Sequence, residues 1–206
     1  MSFQEVIPLK LKGHFLLSKT TTPPKAGEKN PNFWLNHSRR LVNMTKYHMN
    51  KKEREIKKQE ELREILKQGK YAVISMCRDN EPYIVTLSYG YDRDKNALYF
   101  HTASKGLKID FIKHNPNVCA TVIEDRGYRM NECNHKYRSV VFWGEMFMVE
   151  NLEEKIHGME IILNHLENNP KTVKEKFLKN EENYNKVTIL RLDIKELTGK
   201  SNLIQK

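Results

Sequence analysis

The chain has 206 residues, a formal net charge of +10 and an apolar fraction of 38%. This length predicts one domain with room for an appendage. No run approaches the ~18–20 apolar residues that a membrane-spanning helix needs, so we expect no membrane partner. Glu5, Pro8 and Lys10 interrupt the apolar stretch near the start, so we expect no signal peptide and a cytoplasmic protein.

The positive charge is concentrated near the N-terminus. Residues 1–58 contain 13 Lys or Arg against four Asp or Glu, whereas residues 59–206 contain 23 against 22. A protein that binds nucleic acid through its folded surface should carry the charge on that surface, so nucleic acid is not an expected partner. Residues 1–48 have no sustained periodicity, and we predict a basic, flexible N-terminal extension before a folded domain of residues 49–206.

The three cysteines, Cys77, Cys119 and Cys133, are far apart in the sequence, which favours reduced thiols. Cys133 and His135 are close enough to suggest a metal site. Zinc sites, however, need four ligands at recognisable spacing, and the chain lacks them. We therefore predict no metal.

The periodicity of the folded part alternates between helical and extended patterns. Helices are predicted at residues 51–68, 104–114, 152–166 and 172–179. Strands are predicted at residues 71–77, 83–91, 97–102, 118–123, 137–149 and 190–194. The second and third strands read as a hairpin, the polar residues 124–134 as a loop, and Gly144 as a bulge. The pattern predicts a mainly β protein with flanking helices, in which about six mostly antiparallel strands form a small closed or split barrel.

The polar corner after the third strand has the features of an anion site. Ser104 is a good N-cap for the helix that follows, and Asn115-Pro116 is a good stop. A helix start offers free N–H groups and a favourable dipole, and Lys105 and Lys108 add positive charge. This combination predicts that the corner holds a phosphate.

Several stretches occur in an order and spacing that together resemble a known family. They are MNKKEREI at residues 49–56, GKYAVISM at 69–76, LSYGYD at 87–92, HTASKGLK at 101–108, NHKYRSVV at 134–141 and LTGK at 197–200. In this order they resemble the flavin-binding split-barrel group of pyridoxamine 5'-phosphate oxidase-like proteins. Within that group the chain looks most like the branch of the 5-nitroimidazole-resistance (Nim-type) proteins.

The resemblance implies an FMN-binding split β-barrel and an oxidoreductase that acts on a small molecule, with nitro-aromatic compounds as a candidate substrate class. It also implies a homodimer with the flavin at the subunit interface. The oxidase proper carries a Ser-Arg-Lys cluster for the flavin phosphate, of which only Lys108 matches cleanly here, and it carries an Arg-x-His pair near its C-terminus that this chain lacks. The resemblance therefore supports flavin binding better than vitamin oxidation.

The resemblance places the flavin against three parts of the chain. The backbone of the second strand would follow the ring edge, aromatic side chains such as that of Tyr89 would form an apolar wall, and the corner would hold the phosphate. The second subunit would contribute Tyr137 and Ser139. The predicted cofactor-binding residues are Val85, Thr86, Leu87, Ser88, Tyr89, His101, Thr102, Ser104, Lys105, Lys108, Tyr137 and Ser139.

His101 is the predicted catalytic residue. Nim-type proteins place a histidine in this sequence setting, close to the flavin, where it can donate a hydrogen bond or relay a proton at neutral pH. The alternative is a structural histidine bonded to a neighbouring carbonyl. Two other functions remain open: a split barrel that binds haem or another cofactor through His101 or His135, and a non-enzymatic nucleic-acid-binding barrel, against which the nearly neutral body counts.

Overall fold

The protein is described here by a computed structural model that covers residues 49–203, and the extension predicted for residues 1–48 lies outside the described residues. A short 3-10 helix at Lys52–Arg54 comes first. The helices are α1 Gln59–Gln68, α2 Leu107–His114, α3 Leu152–Leu166, α4 Pro170–Phe177 and α5 Glu181–Lys186. The strands are β1 Tyr71–Arg78, β2 Glu81–Ser88, β3 Gly90–Asp92, β4 Ala97–Thr102, β5 Asn117–Arg129, β6 Asn134–Met148 and β7 Thr188–Ser201.

All seven strands join one antiparallel sheet in the order β2-β1-β5-β6-β7-β4-β3. The sheet curls until β2 contacts β4, although these two strands share no ladder. The result is a barrel with one open seam between β2 and β4. The predicted mainly β split barrel is confirmed, with seven strands in place of about six.

The strand predicted at residues 83–91 is two strands, because the chain changes partner at Tyr89 and Gly90. β2 pairs with β1, whereas β3 pairs with β4, so the predicted hairpin is limited to β3 and β4. The Tyr89 ring is fully buried, and its hydroxyl donates to the Leu66 carbonyl at 2.6 Å. A Cβ atom at Gly90 would lie 2.5 Å from the backbone nitrogen of Ile162 in α3, so this close approach requires glycine.

The loop predicted at residues 124–134 is wrong, because most of this segment continues the β5–β6 hairpin. The pairing shifts register between Asp125 and Tyr128 and then resumes. Arg138 donates to Glu124 across the two strands at 2.8 Å. We call residues 124–138 the hairpin arm. Most of its side chains are exposed, so it lacks the alternation of apolar and polar residues that identifies a strand in sequence.

The interior of the barrel is one hydrophobic core. Inward residues of all seven strands meet there, and α1 closes one end with Leu62, Ile65 and Leu66, all at most 1% exposed. The predicted helix at residues 51–68 starts too early, because α1 begins at Gln59. Ile56, before α1, is buried in the same core, and its amide donates to the Gly199 carbonyl at 3.0 Å.

A second core lies outside the barrel, between β4, β7 and the helices α3–α5. The apolar stripe predicted for residues 152–166 is confirmed as α3, which buries Met159, Ile162 and Leu163 in this core. Asn151 caps α3 by accepting the amide of Glu154 at 3.0 Å. The bulge predicted at Gly144 is confirmed by a register shift between β6 and β7 at that residue.

The start of α2 differs from the prediction. Gly106, and not Ser104, is the N-cap residue, with a φ of 120°, and no side chain caps the helix. This backbone conformation favours glycine, because a Cβ atom strains it. Phe111 packs in the barrel core as its position predicts, but Leu107, one turn earlier, is 48% exposed. Among the described residues, no helix is long and apolar enough to cross a membrane.

The start of α2 generates a stability prediction. Gly106→Ala should destabilise the protein by about 1 kcal/mol or more, because alanine must adopt a left-handed φ. Ser104→Ala should change the free energy of unfolding by less than about 0.5 kcal/mol, since the Ser104 hydroxyl does not cap the helix. Urea unfolding measures both values. A larger loss for Ser104→Ala than for Gly106→Ala would contradict this account.

His165 joins the end of α3 to the sheet. Its Nε2 lies 2.5 Å from the Gly69 carbonyl oxygen, and the backbone nitrogen of Tyr91 lies 3.4 Å from its Nδ1. Because the Tyr91 amide needs an acceptor, these contacts fit a neutral ring with its proton on Nε2. Burial lowers the pKa of His165 and outweighs the opposite effect of the bond to Gly69, and the nearby Lys70 lowers the pKa further.

This geometry predicts a pH dependence of stability. The unfolded chain binds a proton with the ordinary histidine pKa of about 6.5, whereas folded His165 resists protonation. Its contribution to stability is therefore fully present above that value and is lost as the pH falls through the lowered folded pKa. Urea unfolding at about pH 7.5 and 5.5 measures the loss, which His165→Gln should reduce. His114→Gln, at an exposed histidine, is the control and should not reduce it.

Candidate functional site

The corner after β4 presents two lysines beside the start of α2. Lys105 is exposed and Lys108 is half-buried, and neither forms an ion pair or hydrogen bond with any residue in the described range. The amides of Leu107 and Lys108 have no acceptor among the described residues, whereas those of Ile109 and Asp110 donate to the Gly106 carbonyl, and the helix dipole is positive at this end. Asp110, in the first turn, opposes this charge. The corner thus combines free donors with two unpaired cations.

The space above this corner is open. A Cβ atom built at Gly106 would meet no atom within 4 Å, so a ligand can approach the backbone closely. Ser104 is exposed, and among residues 49–203 its hydroxyl has no hydrogen-bond partner. Although it is not the N-cap, Ser104 remains a free donor next to Lys105. These features fit a phosphate group.

Strand β2 forms one side of the seam. Its only partner in the sheet is β1, so alternate backbone N–H and C=O groups along its other edge have no ladder partner. Thr86 and Ser88 are exposed on the outward face, whereas Val85 and Leu87 are half-buried and pack against the barrel core. The free edge can therefore hydrogen bond with a flat, polar-edged ligand that lies in the seam.

Tyr89 does not provide the predicted aromatic wall. Its ring is 0% exposed within the barrel core, and burial raises the pKa of its hydroxyl well above the ordinary value. Its backbone amide is also used, because it donates to the Lys70 carbonyl at 3.3 Å. Its role is to anchor the chain where β2 ends.

His101 lies near the end of β4, on the helix side of the sheet. Side chains alternate along a strand, so His101 shares a face with Tyr99, which packs in the second core, while Thr102 has the opposite face. Although His101 is an exposed residue, partial burial of its ring lowers its pKa below the ordinary value. The structural alternative, a bond to a neighbouring carbonyl, is not observed among the described residues. Both ring nitrogens are therefore free for a ligand.

Tyr137 and Ser139 lie on β6, away from the corner. The sheet order places β1 and β5 between β6 and β2, which corresponds to roughly 14 Å at the usual strand spacing. The corner and His101 lie together at the end of β4, and β4 contacts β2, but the sheet order does not bring Tyr137 and Ser139 to β2.

Two features of the site were missed from the sequence. Gly106 sets the geometry of the corner, and its position just before the helical pattern is the signal that could have identified it. The second feature is the wall of helix residues that His101 faces, which includes Met159 and Leu163. The sequence predicts a helix at residues 152–166 and assigns it no part in a cavity. In the part of the chain that the structure describes, no group of His, Cys, Asp and Glu could hold a metal ion.

Solved structures share this architecture. A candidate 5-nitroimidazole antibiotic resistance protein from Bacteroides thetaiotaomicron has a TM-score of 0.61 at 23% identity, over 71% of this chain and 85% of that one. A FAD and haem binding protein from Mycobacterium smegmatis has a TM-score of 0.60 at 15% identity, over 73% and 74%. A flavocytochrome from Azotobacter vinelandii has a TM-score of 0.59 at 16% identity, over 77% and 73%. At these identities the likeness shows the fold.

Sequence comparison shows the family. An uncharacterised protein of Rhizobium meliloti is 33% identical over 85 residues, which are 41% of this chain, and the match spans half of that relative's length. The profile of the pyridoxamine 5'-phosphate oxidase family matches residues 58–201, which is most of the described domain. The chain therefore belongs to the pyridoxamine 5'-phosphate oxidase family.

Proposed function

We propose that this protein binds FMN in the seam between β2 and β4 and acts as an FMN-dependent oxidoreductase. The observation that carries the proposal is that unpaired cations, free amides and a free strand edge all border this seam. An anionic tail and a flat ring with polar edges need this combination. FAD, which the name of one structural relative includes, shares the flavin ring, so the choice of FMN rests on the resemblance in sequence.

The corner holds the phosphate in this proposal. Lys108 and Lys105 neutralise its charge, the Ser104 and Thr102 hydroxyls donate hydrogen bonds, and the first amides of α2 complete the set. No described partner competes for the lysines, so little is lost when they turn to the ligand. Gly106 keeps the backbone open to close approach.

The free edge of β2 orients the ring. The backbone groups of residues 85–88 can donate to and accept from the polar atoms along a ring edge, while Val85 and Leu87 form part of the barrel core beside it. When bound, the flavin supplies hydride or electron transfer, and the protein supplies position and electrostatics. Tyr89 holds the end of this strand in place through its bond to Leu66.

His101 interacts with the reacting molecule. An imidazole with two free nitrogens can donate a hydrogen bond from its N–H to an oxygen or nitrogen of a substrate, and its other nitrogen can accept a proton. Its surroundings are mostly apolar, which favours an uncharged substrate. A small nitro-aromatic compound has this character, and we propose it as the substrate class.

A homodimer would complete the site. On the outward face of the sheet, Tyr71, Ile84 and Ile123 are 58%, 64% and 55% exposed, and Tyr137 and Ser139 lie on strand β6 of the same sheet. Exposed apolar groups on neighbouring strands are typical of an interface. We propose that two barrels pack through this face, so that each brings its own Tyr137 and Ser139 to the other's seam.

Haem binding is the second candidate, because two structural relatives are described as a flavocytochrome and as a haem-binding protein. Of the two histidines considered for it, His135 is exposed on the hairpin arm with its Nε2 2.8 Å from Asp125. His101 faces a cavity and has no described partner, so it would be the residue that holds the haem. The visible spectrum of the purified protein separates the two cofactors.

The cofactor proposal predicts the effect of one lysine. Lys108→Ala should lower FMN affinity about tenfold to a hundredfold, because a hydrogen bond to a charged group contributes about 1.5–3 kcal/mol. Fluorescence titration of FMN measures this affinity. Lys113→Ala is the matched control, since it removes an exposed lysine from the other end of α2. Equal affinities for both variants and the wild type would remove the corner from the site.

The role of His101 is tested in the same preparation. His101→Ala should keep the fold and should change FMN affinity or the rate of nitro-aromatic reduction. Unchanged titration and unchanged turnover would exclude His101 from the site. Heat release of the bound cofactor, followed by mass measurement, identifies it directly. A colourless protein that ignores added FMN would refute the proposed function.

The interface predicts the mass of the assembly. Light scattering should give twice the 24.4 kDa of the chain, and Ile123→Arg should shift the mass toward one chain, because a charge would be buried at the contact. Phe177→Arg replaces an apolar residue of similar exposure on the helix side and should leave the mass unchanged. A monomeric wild-type protein would contradict the proposed dimer.

A further inference from the structure

A cavity of about 410 Å³ lies between the end of β4 and the helices α3–α5. We call it the helix cavity. It is separate from the barrel interior, because the residues of β4 that face it alternate with those that fill the barrel. Its walls are His101, Met159, Ile162, Leu163, Leu166, Glu167, Val173, Phe177, Leu178, Asn183 and Val187. Its volume lies within the range of small-molecule sites in proteins.

The walls of the helix cavity are mostly apolar. α3 contributes Met159, Ile162 and Leu163, each at most 8% exposed, and these side chains are held by the second core. Phe177 of α4 is 58% exposed although it lines the same space. Because part of the Phe177 ring is exposed beside an apolar space, the ring gains contacts when a ligand fills that space.

The polar groups of the cavity are few, and His101 and Glu167 have no partner among the described residues. His101 has two free ring nitrogens, and the Glu167 carboxylate forms no ion pair within residues 49–203. The amide nitrogen of the Asn183 side chain donates to the Phe177 carbonyl at 3.0 Å, which holds α5 against the end of α4. An apolar space with a small number of polar groups at its edge is the usual form of a binding site.

The charges define the ligand. Glu167 repels an anion, and His101, an exposed residue at the edge of the apolar lining, offers a hydrogen bond. We propose that the helix cavity binds an uncharged, largely apolar aromatic molecule whose polar end forms a hydrogen bond with His101. The inference places the substrate class of the proposed function in a defined space, and because α3–α5 and β4 alone build that space, probe binding there does not require FMN.

The test uses N-phenyl-1-naphthylamine, a neutral fluorescent probe with one N–H group, and the full chain as purified. The probe should bind at one site per chain with a rise in fluorescence. Val173→Trp should abolish this binding by filling the cavity, and Phe177→Ala should weaken it about tenfold by removing an aromatic contact. Tyr128→Ala removes a ring of similar exposure from the hairpin arm and should have no effect.

A second pair of probes tests the role of His101. The wild-type protein should bind N-phenyl-1-naphthylamine about fivefold more tightly than 1-phenylnaphthalene, which cannot form the hydrogen bond, and His101→Leu should abolish this preference. The titrations are repeated after addition of FMN. Probe binding without FMN binding would support the cavity and refute the proposed function, and FMN binding without probe binding would do the reverse.

Three results would overturn the inference. The first is normal probe binding by a Val173→Trp protein whose circular dichroism and melting show a folded chain. The second is an equal loss of binding in Phe177→Ala and Tyr128→Ala. The third is a change in mass by light scattering for Val173→Trp, since this would show that another copy of the chain covers the cavity.

Discussion

The structure depends on the place where the chain leaves one side of the barrel and joins the other. At Tyr89 the ring is buried in the barrel core, and its hydroxyl holds the carbonyl at the end of α1. At Gly90 the backbone passes so close to α3 that a Cβ atom would overlap it. These two contacts prevent the chain from continuing as one strand. β2 therefore ends with a free edge, and β3 begins against β4.

The candidate site follows from this change of partner. A continuous strand would pair along its whole length and would leave no backbone groups for a ligand. Because the seam stays open, the free edge of β2 faces the end of β4, and the turn at Gly106 directs the start of α2 to the same region. The free edge and the corner lysines thus have a common cause in the split of the barrel.

Two regions of the outer face of the sheet differ in how they are covered. In one region, α3–α5 bury the outward residues of β4 and β7 in a second core and enclose the helix cavity beside His101. In the other, Tyr71, Ile84 and Ile123 remain exposed. The two proposals follow from this difference, a small molecule for the covered region and a second copy of the chain for the exposed one.

Local patterns in the sequence determined most of the elements. An almost unbroken apolar run identified β1, helical spacing of apolar residues identified α3, and Gly144 marked the bulge. The order of the motifs identified the family, and the match of the family profile to residues 58–201 confirms it. These features depend on neighbours in the chain, and side-chain period and turn chemistry are visible in a single sequence.

Tertiary structure decided the rest, because it depends on contacts between residues far apart in the chain. The end of β2 is set by Leu66 and α3, which are not readable from residues 83–91. The hairpin arm pairs without a buried face, so it has no apolar pattern. Ser104 matched the rule for an N-cap, but the path from β4 placed Gly106 there. Which face of β4 carries His101 depends on how this strand packs between the two cores.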